Sequence, residues 1–194
     1  CIRDRYIHRG IKHGLLEFSK PLDHFCRFWL FLIGWGWPGW QEHIAAIHRK
    51  HHRYSDQHQD PHSPVHFTLI ELFDNQKLEP GKPYYITPDE IKFYAPEVKT
   101  PDDWVQRNVY DRYCHKGVYI LFVLNFILFG FIGGMFGLAA NYVLRRYFFL
   151  LLGNFVLHTI GYSNSSNQDN SKNLFPVGIL FGGEELHANH HTNC

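Results

Sequence analysis

The chain has 194 residues, 45% of them apolar, and a formal net charge of +1; this suffices for one domain and leaves no basic field that would argue for nucleic acid. Its four cysteines, Cys1, Cys26, Cys114 and Cys194, form no Cys-x-x-Cys pair, so neither a zinc knuckle nor a disulfide framework is indicated and four reduced thiols are expected. A mean hydropathy of −0.28 would suit a soluble protein, but it averages over a sharp segregation along the chain. The chain opens on Cys and its last histidine cluster ends three residues before the terminus, so it is read as a fragment.

The first cluster, His8 and His13, follows Arg3, Asp4 and Arg5, where a helix could be leaving a membrane. Positions five apart differ by about 140° around an α-helix, which predicts that these two rings diverge. Either they serve different ions or the helix ends between them, as Gly10 and Gly14 permit. Residues 28–40 form an uncharged apolar stretch of 13 residues. It is too short to cross a bilayer, and its tryptophans and the breakers Gly34, Gly36, Pro38 and Gly39 suit the membrane interface. A non-crossing segment keeps the first two clusters on one side.

The second cluster is His48-Arg49-Lys50-His51-His52, with histidines at relative positions 0, 3 and 4, a spacing that shares one helical face. His58, His62 and His66 lack it and read as surface residues or as supports behind the ligands. Residues 67–117 are charged and rich in Pro and Tyr, as in a soluble lobe. Within them Thr87-Pro88-Asp89-Glu90 and Thr100-Pro101-Asp102-Asp103 both read as helix starts, with Thr as the cap.

Residues 118–140 carry no charge over 23 positions, long enough for a bilayer core. Asn141, Arg145 and Arg146 then read as a turn into a second apolar stretch, 147–162, and together these form a membrane hairpin. Two crossings return the chain to the side it left. Lys99, Arg107, Arg112, Lys116 and Lys172 flank the hairpin on that side, which makes it cytoplasmic. Inside the second stretch, Asn154 and His158 stand one helical turn apart, and polar residues at such depth are functional. His187, His190 and His191 repeat the 0, 3, 4 spacing 139 positions after the second cluster. Imidazole is the commonest protein ligand for zinc, copper and iron. With His158 there are nine candidate nitrogens, too many for one ion.

These residues resemble the membrane-bound fatty acid desaturases, most closely bacterial delta-9 acyl-CoA or acyl-lipid desaturases. The resemblance is carried by the three histidine clusters, by Asn154-x-x-x-His158 and the hairpin, and by the stretches at 60–64, 100–104, 176–180 and 182–187. It implies an all-α, integral membrane helical protein with a cytosolic, histidine-rich di-metal cap. The single domain, 1–194, has its hairpin at about 118–162, its cap at 1–117 and 163–194, and lacks the family's N-terminal hairpin. It further implies a di-iron centre bound by His8, His13, His48, His51, His52, His158, His187, His190 and His191, with Asn154 acting through water. Glu184, Glu185 and Asp60 would orient ligand rings from behind. Gly14, Ala188 and Gly161-Tyr162-Ser163 depart from the family pattern, and none of these removes a ligand.

The reaction implied is oxygen-dependent introduction of a cis double bond into a saturated acyl chain carried by CoA, carrier protein or lipid. Electrons come from a ferredoxin- or cytochrome-type carrier with its reductase, and the bilayer is a further partner. Zinc could replace iron in a purified sample. Apolar residues around 28–40 and 118–138 are expected to line the acyl tunnel. The rival readings are a histidine-box hydroxylase acting on alkanes, sterols or carotenoids, and a non-enzymatic membrane metal carrier or sensor.

Overall fold

The computed structural model describes residues 3–74, 77–144, 147, 150–164, 169–176 and 183–192. Among these residues the regular elements are helical, and extended pairing is confined to the isolated bridges Tyr162–Asn173 and Asn173–Leu186.

Residues Arg3–Lys12 are π-helical, and the His13 amide donates to the His8 carbonyl at 3.1 Å. In this wider winding a residue and the fifth one after it are bonded neighbours. The expected divergence of His8 and His13 is therefore corrected: their ring centroids lie 4.9 Å apart on one face.

Helix α1 (Lys20–Leu32) starts after Ser19 with Pro21 in its first turn. It buries Cys26 and Leu30 while Phe25, Phe28 and Trp29 stay exposed. Helix α2 (Trp40–Tyr54) carries the second histidine cluster and presents Ala45, Ala46 and Ile47 inward. The two alanines let α2 approach the N-terminal segment and, beyond the short α3 (Leu69–Asp74), α4 (Pro88–Tyr94). Tyr6, Ile7, Ile11, Leu30, Trp40, Ile47 and Ile86 close this core, each large apolar side chain contributing about 1.5–3 kcal/mol by burial.

The two Thr-Pro-Asp signals fare differently. Thr87 caps α4 in a reciprocal box: Thr87 Oγ1 accepts from the Glu90 amide at 3.2 Å, and Glu90 Oε2 accepts from the Thr87 amide at 2.9 Å. Thr100 caps nothing, because its hydroxyl and amide both donate to Glu42, at 2.5 and 2.8 Å. Asp103 takes the capping role for the π-helical turn Gln106–Asp111, accepting from the Gln106 amide at 2.9 Å. Arg27, buried on α1 and paired there with Asp23 at 2.8 Å, ties this turn down through Asp103 at 2.6 Å and Gln106 at 3.0 Å.

Helix α5 (Gly117–Val143) is long and apolar enough to cross a membrane by length and composition, yet it is not straight. Gly130 has φ 73° and ψ −178°, a conformation open to glycine because it lacks a Cβ. There the chain doubles back. A Cβ built on Gly134 would come 3.3 Å from Phe126 Cα, and one on Gly137 would come 3.0 Å from the Asn125 amide. In a straight helix those pairs would be about 12 and 18 Å apart. Both ends of α5 accordingly meet the end of α1: Gly117 lies against the Phe31 carbonyl, and Asn141 Nδ2 donates to the Ile33 carbonyl at 3.2 Å. The turn expected at 141–146 thus falls at Gly130, and Arg145 and Arg146 lie outside the described residues. Only Gly117 and Gly134 of α5 are buried, while Ile127, Leu128, Phe129, Phe131, Ile132 and Phe136 around the turn are exposed.

The chain then reaches the π-helical turn Leu151–Val156 and the short α6 (Leu157–Thr159). Residues 171–174 lock α6 to the last histidine cluster. The Lys172 amide donates to the Leu157 carbonyl at 2.7 Å and the Leu174 amide to the Glu185 carbonyl at 2.8 Å. Buried Asn173 donates to Asn189 Oδ1 at 3.0 Å on α7 (His187–Thr192). Cys26 and Cys114 are free thiols; Cys1 and Cys194 lie outside the described residues.

Candidate metal centre

Four parts of the chain bring nine imidazoles into two groups. Ring nitrogens of His8, His13, His48, His52 and His190 lie within 4.8 Å of one another, and so do those of His51, His158, His187 and His191. The histidines at 0, 3 and 4 do not all converge on one point. Helix α2 sends His48 and His52 to the first group and His51 to the second, while α7 sends His187 and His191 to the second and His190 to the first. Each helix thus serves both groups, in opposite proportion.

The facing atoms are the Nε2 nitrogens. In the first group His8–His48, His13–His48, His13–His190, His48–His52 and His52–His190 stand 3.0, 2.9, 3.1, 3.0 and 3.0 Å apart. In the second, His51–His191 and His158–His187 stand 3.3 and 3.1 Å apart. Neutral imidazoles cannot satisfy five convergent nitrogens by hydrogen bonding to one another, since each ring carries a single N–H. Nitrogens about 2.1 Å from one ion and at right angles to each other are about 3.0 Å apart, so the donor set fits a metal ion in each group.

Protonation supports that fit. Burial first, then repulsion from neighbouring imidazoles and Lys12, depresses His13 to about 3. Burial first, then the neighbouring imidazoles, likewise hold His48, His51, His52, His187 and His190 well below the usual histidine value. These six rings are therefore neutral at pH 7, the form that ligates.

Behind the rings lie carboxylates. His8 Nδ1 pairs with Glu184, and His51 Nδ1 donates to Asp60 at 2.8 Å. Glu185, fully buried, accepts from the Gly183 amide at 3.1 Å. Two further carboxylates come from loops: Asp56, 3.4 Å from His158 Nδ1, and Asp169, 2.6 Å from His191 Nδ1. Burial works to raise both, but hydrogen bonds outweigh it. His158, Ser63 and the Asn170 amide bring Asp56 to about 2, and His191 and Ser171 take Asp169 below the usual carboxylate range. Burial prevails at Asp60 and raises it. Neither loop carboxylate has a periodic signature in sequence. His62, read above as surface or support, is buried with its ring 4.1 Å from that of His51; His58 is exposed and stacks on His66 at 4.5 Å.

A cavity of about 330 Å³ opens beside the centre. His8, His48, His51, His62 and His187 form its metal-facing wall, and Trp35, Trp37, Ile44, Ile47, Leu78 and Leu150 form its apolar side. Asn154 lines it and donates to the Tyr84 hydroxyl at 2.6 Å. The expected tunnel wall is corrected in part: residues 34–37 contribute to this cavity and residues 118–138 do not.

Sequence comparison is consistent with this architecture along nearly the whole chain. The chain is 27% identical over 192 residues to an acyl-CoA C20 Delta5-desaturase of Anemone leveillei, covering 95% of this chain and 56% of that protein. It is 26% identical over 194 residues to delta-9 acyl-lipid desaturase 1 of Arabidopsis thaliana, covering 95% and 57%. It is 33% identical over 201 residues to a hex-5-enoyl-(acyl-carrier protein) acetylenase of Moorena producens, covering 96% and 60%. Over about 95% of its length the chain is similar to membrane fatty acid desaturases, at 26–33% identity to these three. No protein-family model matches it. It spans little more than half the length of the desaturases it matches. The stretch 176–180 that helps carry the resemblance lies outside the described residues from Val177 onward, as do residues 181–182.

Proposed function

We propose that this chain is the histidine-box portion of a di-iron fatty acyl desaturase that converts a saturated –CH2–CH2– unit into a cis double bond. The observation that carries the reading is the sorting of nine imidazoles into a group of five and a group of four beside one partly apolar cavity. His8, His13, His48, His52 and His190 would hold one iron, and His51, His158, His187 and His191 the other. Iron bound there supplies the oxygen activation and C–H oxidation that acid–base side chains cannot perform. The overall balance takes two hydrogens from adjacent carbons, two electrons and two protons from outside, and one O2, and returns two waters. A ferredoxin- or cytochrome-type donor would supply the electrons.

The chain's own residues bind and orient. Trp35, Trp37, Ile44 and Ile47 exclude water from the cavity and hold an apolar chain against the histidine wall. Tyr84 fixes the Asn154 amide by accepting from Nδ2, which leaves Oδ1 available to hold a water near the second group. Asp60, Asp56, Asp169 and Glu184 fix the tautomers of the rings in front of them.

The same geometry supports a membrane placement. Residues 117–129 rise about 20 Å as a helix and fold back at Gly130 with their apolar side chains exposed, a surface that lipid accommodates and water does not. No charged residue lies between Lys116 and Arg145, whereas Lys99, Arg107, Arg112, Lys116 and Lys172 flank the base. The base, with the histidines, faces the cytoplasm.

The similarity to an acetylenase favours a second reading, in which the acyl chain already carries a double bond and the product is an alkyne on a carrier protein. Expression of the full-length protein in a host lacking both activities, with mass spectrometry of the acyl products, tests the two. An alkene from a saturated chain supports the desaturase, an alkyne supports the second reading, and an alcohol rejects both.

A further inference from the structure

The two histidine groups differ behind their rings. In the group of four, three Nδ1 atoms face carboxylates: His191 faces Asp169 at 2.6 Å, His51 faces Asp60 at 2.8 Å and His158 faces Asp56 at 3.4 Å. In the group of five, His8 faces Glu184, whereas His13, His48 and His52 face no carboxylate at ion-pair distance among the described residues. The carboxylates of the second group are built in. Asp60 is 1% exposed and also accepts from the Asp56 and His62 amides at 2.9 and 3.0 Å. Asp56 is held by the Ser63 hydroxyl at 2.5 Å and the Asn170 amide at 2.7 Å, and Asp169 by the Ser171 hydroxyl at 2.5 Å.

A carboxylate accepting from Nδ1–H fixes the tautomer with Nε2 forward and makes that nitrogen a stronger donor. It also brings negative charge close to the bound cation, where a buried setting screens it poorly. The number of nitrogens favours the group of five, and the number of carboxylates favours the group of four.

We propose that Asp56 and Asp169, with Asp60, are positioning residues that make the two metal positions unequal, the four-histidine position holding its ion more tightly than the five-histidine position. This rests on the reading of the nine histidines as metal ligands. The consequence is a centre that loads and unloads its ions in a fixed order, with the ion at His8, His13, His48, His52 and His190 leaving first.

The test is iron release from the full chain, loaded with ferrous iron without oxygen and then mixed with a coloured ferrous chelator. Two phases of about equal amplitude are expected. Asp169→Asn and, separately, Asp56→Asn should weaken retention in the slow phase by about ten- to a hundredfold and leave the fast phase in place, with Asp169→Glu restoring the slow phase. Glu184→Gln should act on the fast phase alone. A merely structural role for Asp169 would move both phases together, and that result, or single-phase release from the unaltered chain, overturns the proposal. A chain that takes up no iron overturns the metal reading itself and this inference with it.

Discussion

His13 Nε2 stands 3.1 Å from His190 Nε2 across 177 positions of sequence, so the first and last histidine clusters meet at one point. A metal ion there would link the N-terminal segment, α2 and α7 at once. Its removal is expected to destabilise the fold by the binding free energy, about 2.7 kcal/mol where free metal exceeds the dissociation constant a hundredfold. Thermal unfolding with and without chelator reads this. His190→Ala should remove most of the difference, whereas His58→Ala, an exposed histidine outside both groups, should leave it intact.

The metal-free chain should be acid-sensitive. His13 titrates at about 3 when folded against 6.5 as a free side chain, chiefly through burial. Above pH 6.5 both states are neutral there and the stability is complete. As pH falls from 6.5 toward 3, the unfolded chain takes up a proton that the folded one refuses, and stability is lost. The loss from His13 alone is on the order of 1–2 kcal/mol by pH 5, and His48, His51 and His187 add to it in the same direction. Denaturant midpoints of chelated protein between pH 7 and 5 measure it; a flat profile would contradict the buried, neutral state of these rings.

Gly153 lines the cavity beside Asn154, and a Cβ there would meet nothing within 4 Å. Gly153→Leu should therefore fold, fill part of the cavity and leave the histidines untouched. The expected outcome is unchanged iron content with activity on long acyl chains falling at least about tenfold relative to short ones, as for a side chain that occludes a binding pocket. An unaltered chain-length profile would remove this cavity from the substrate path.

Arg27 joins α1 to the segment leading into α5. Arg27→Met keeps much of the volume but removes the cation that faces Asp23 and Asp103, leaving them the Tyr6 hydroxyl and the Gln106 amide. Breaking a fully buried pair costs about 3–5 kcal/mol; because the Asp103 side chain is 35% exposed, water offsets part of this, and roughly 2 kcal/mol is expected. Chemical denaturation reads the loss, and Asp103→Asn should cost less than Arg27→Met.

The histidine clusters were legible because 0, 3, 4 spacing maps directly onto a helical face, and residues on α2 and α7 lie as that spacing implies. Their division between two points was not, since His51 and His52 are adjacent in sequence and part only once the partner helices are in place. The pairing of His8 with His13 was hidden for a different reason: α-helical geometry separates positions five apart, and only a π-helical winding reunites them. Asp56 and Asp169 sit in irregular segments, where no periodicity marks which way a carboxylate points. The hairpin turn escaped because charges at 145 and 146 are a louder signal than one glycine in a uniformly apolar run. Gly130 reverses the chain through backbone conformation alone. Thr100 matches a cap signature as well as Thr87 does, but Glu42, 58 positions away, competes for it.

X-ray absorption at the iron edge of the full-length, iron-loaded protein, with the metal content measured on the same sample, tests the central claim most directly. About two irons per chain, each in a shell dominated by imidazole nitrogen near 2.1 Å, is the result the geometry predicts. Fewer than one iron per chain, or a shell dominated by sulfur or carboxylate oxygen, would contradict it.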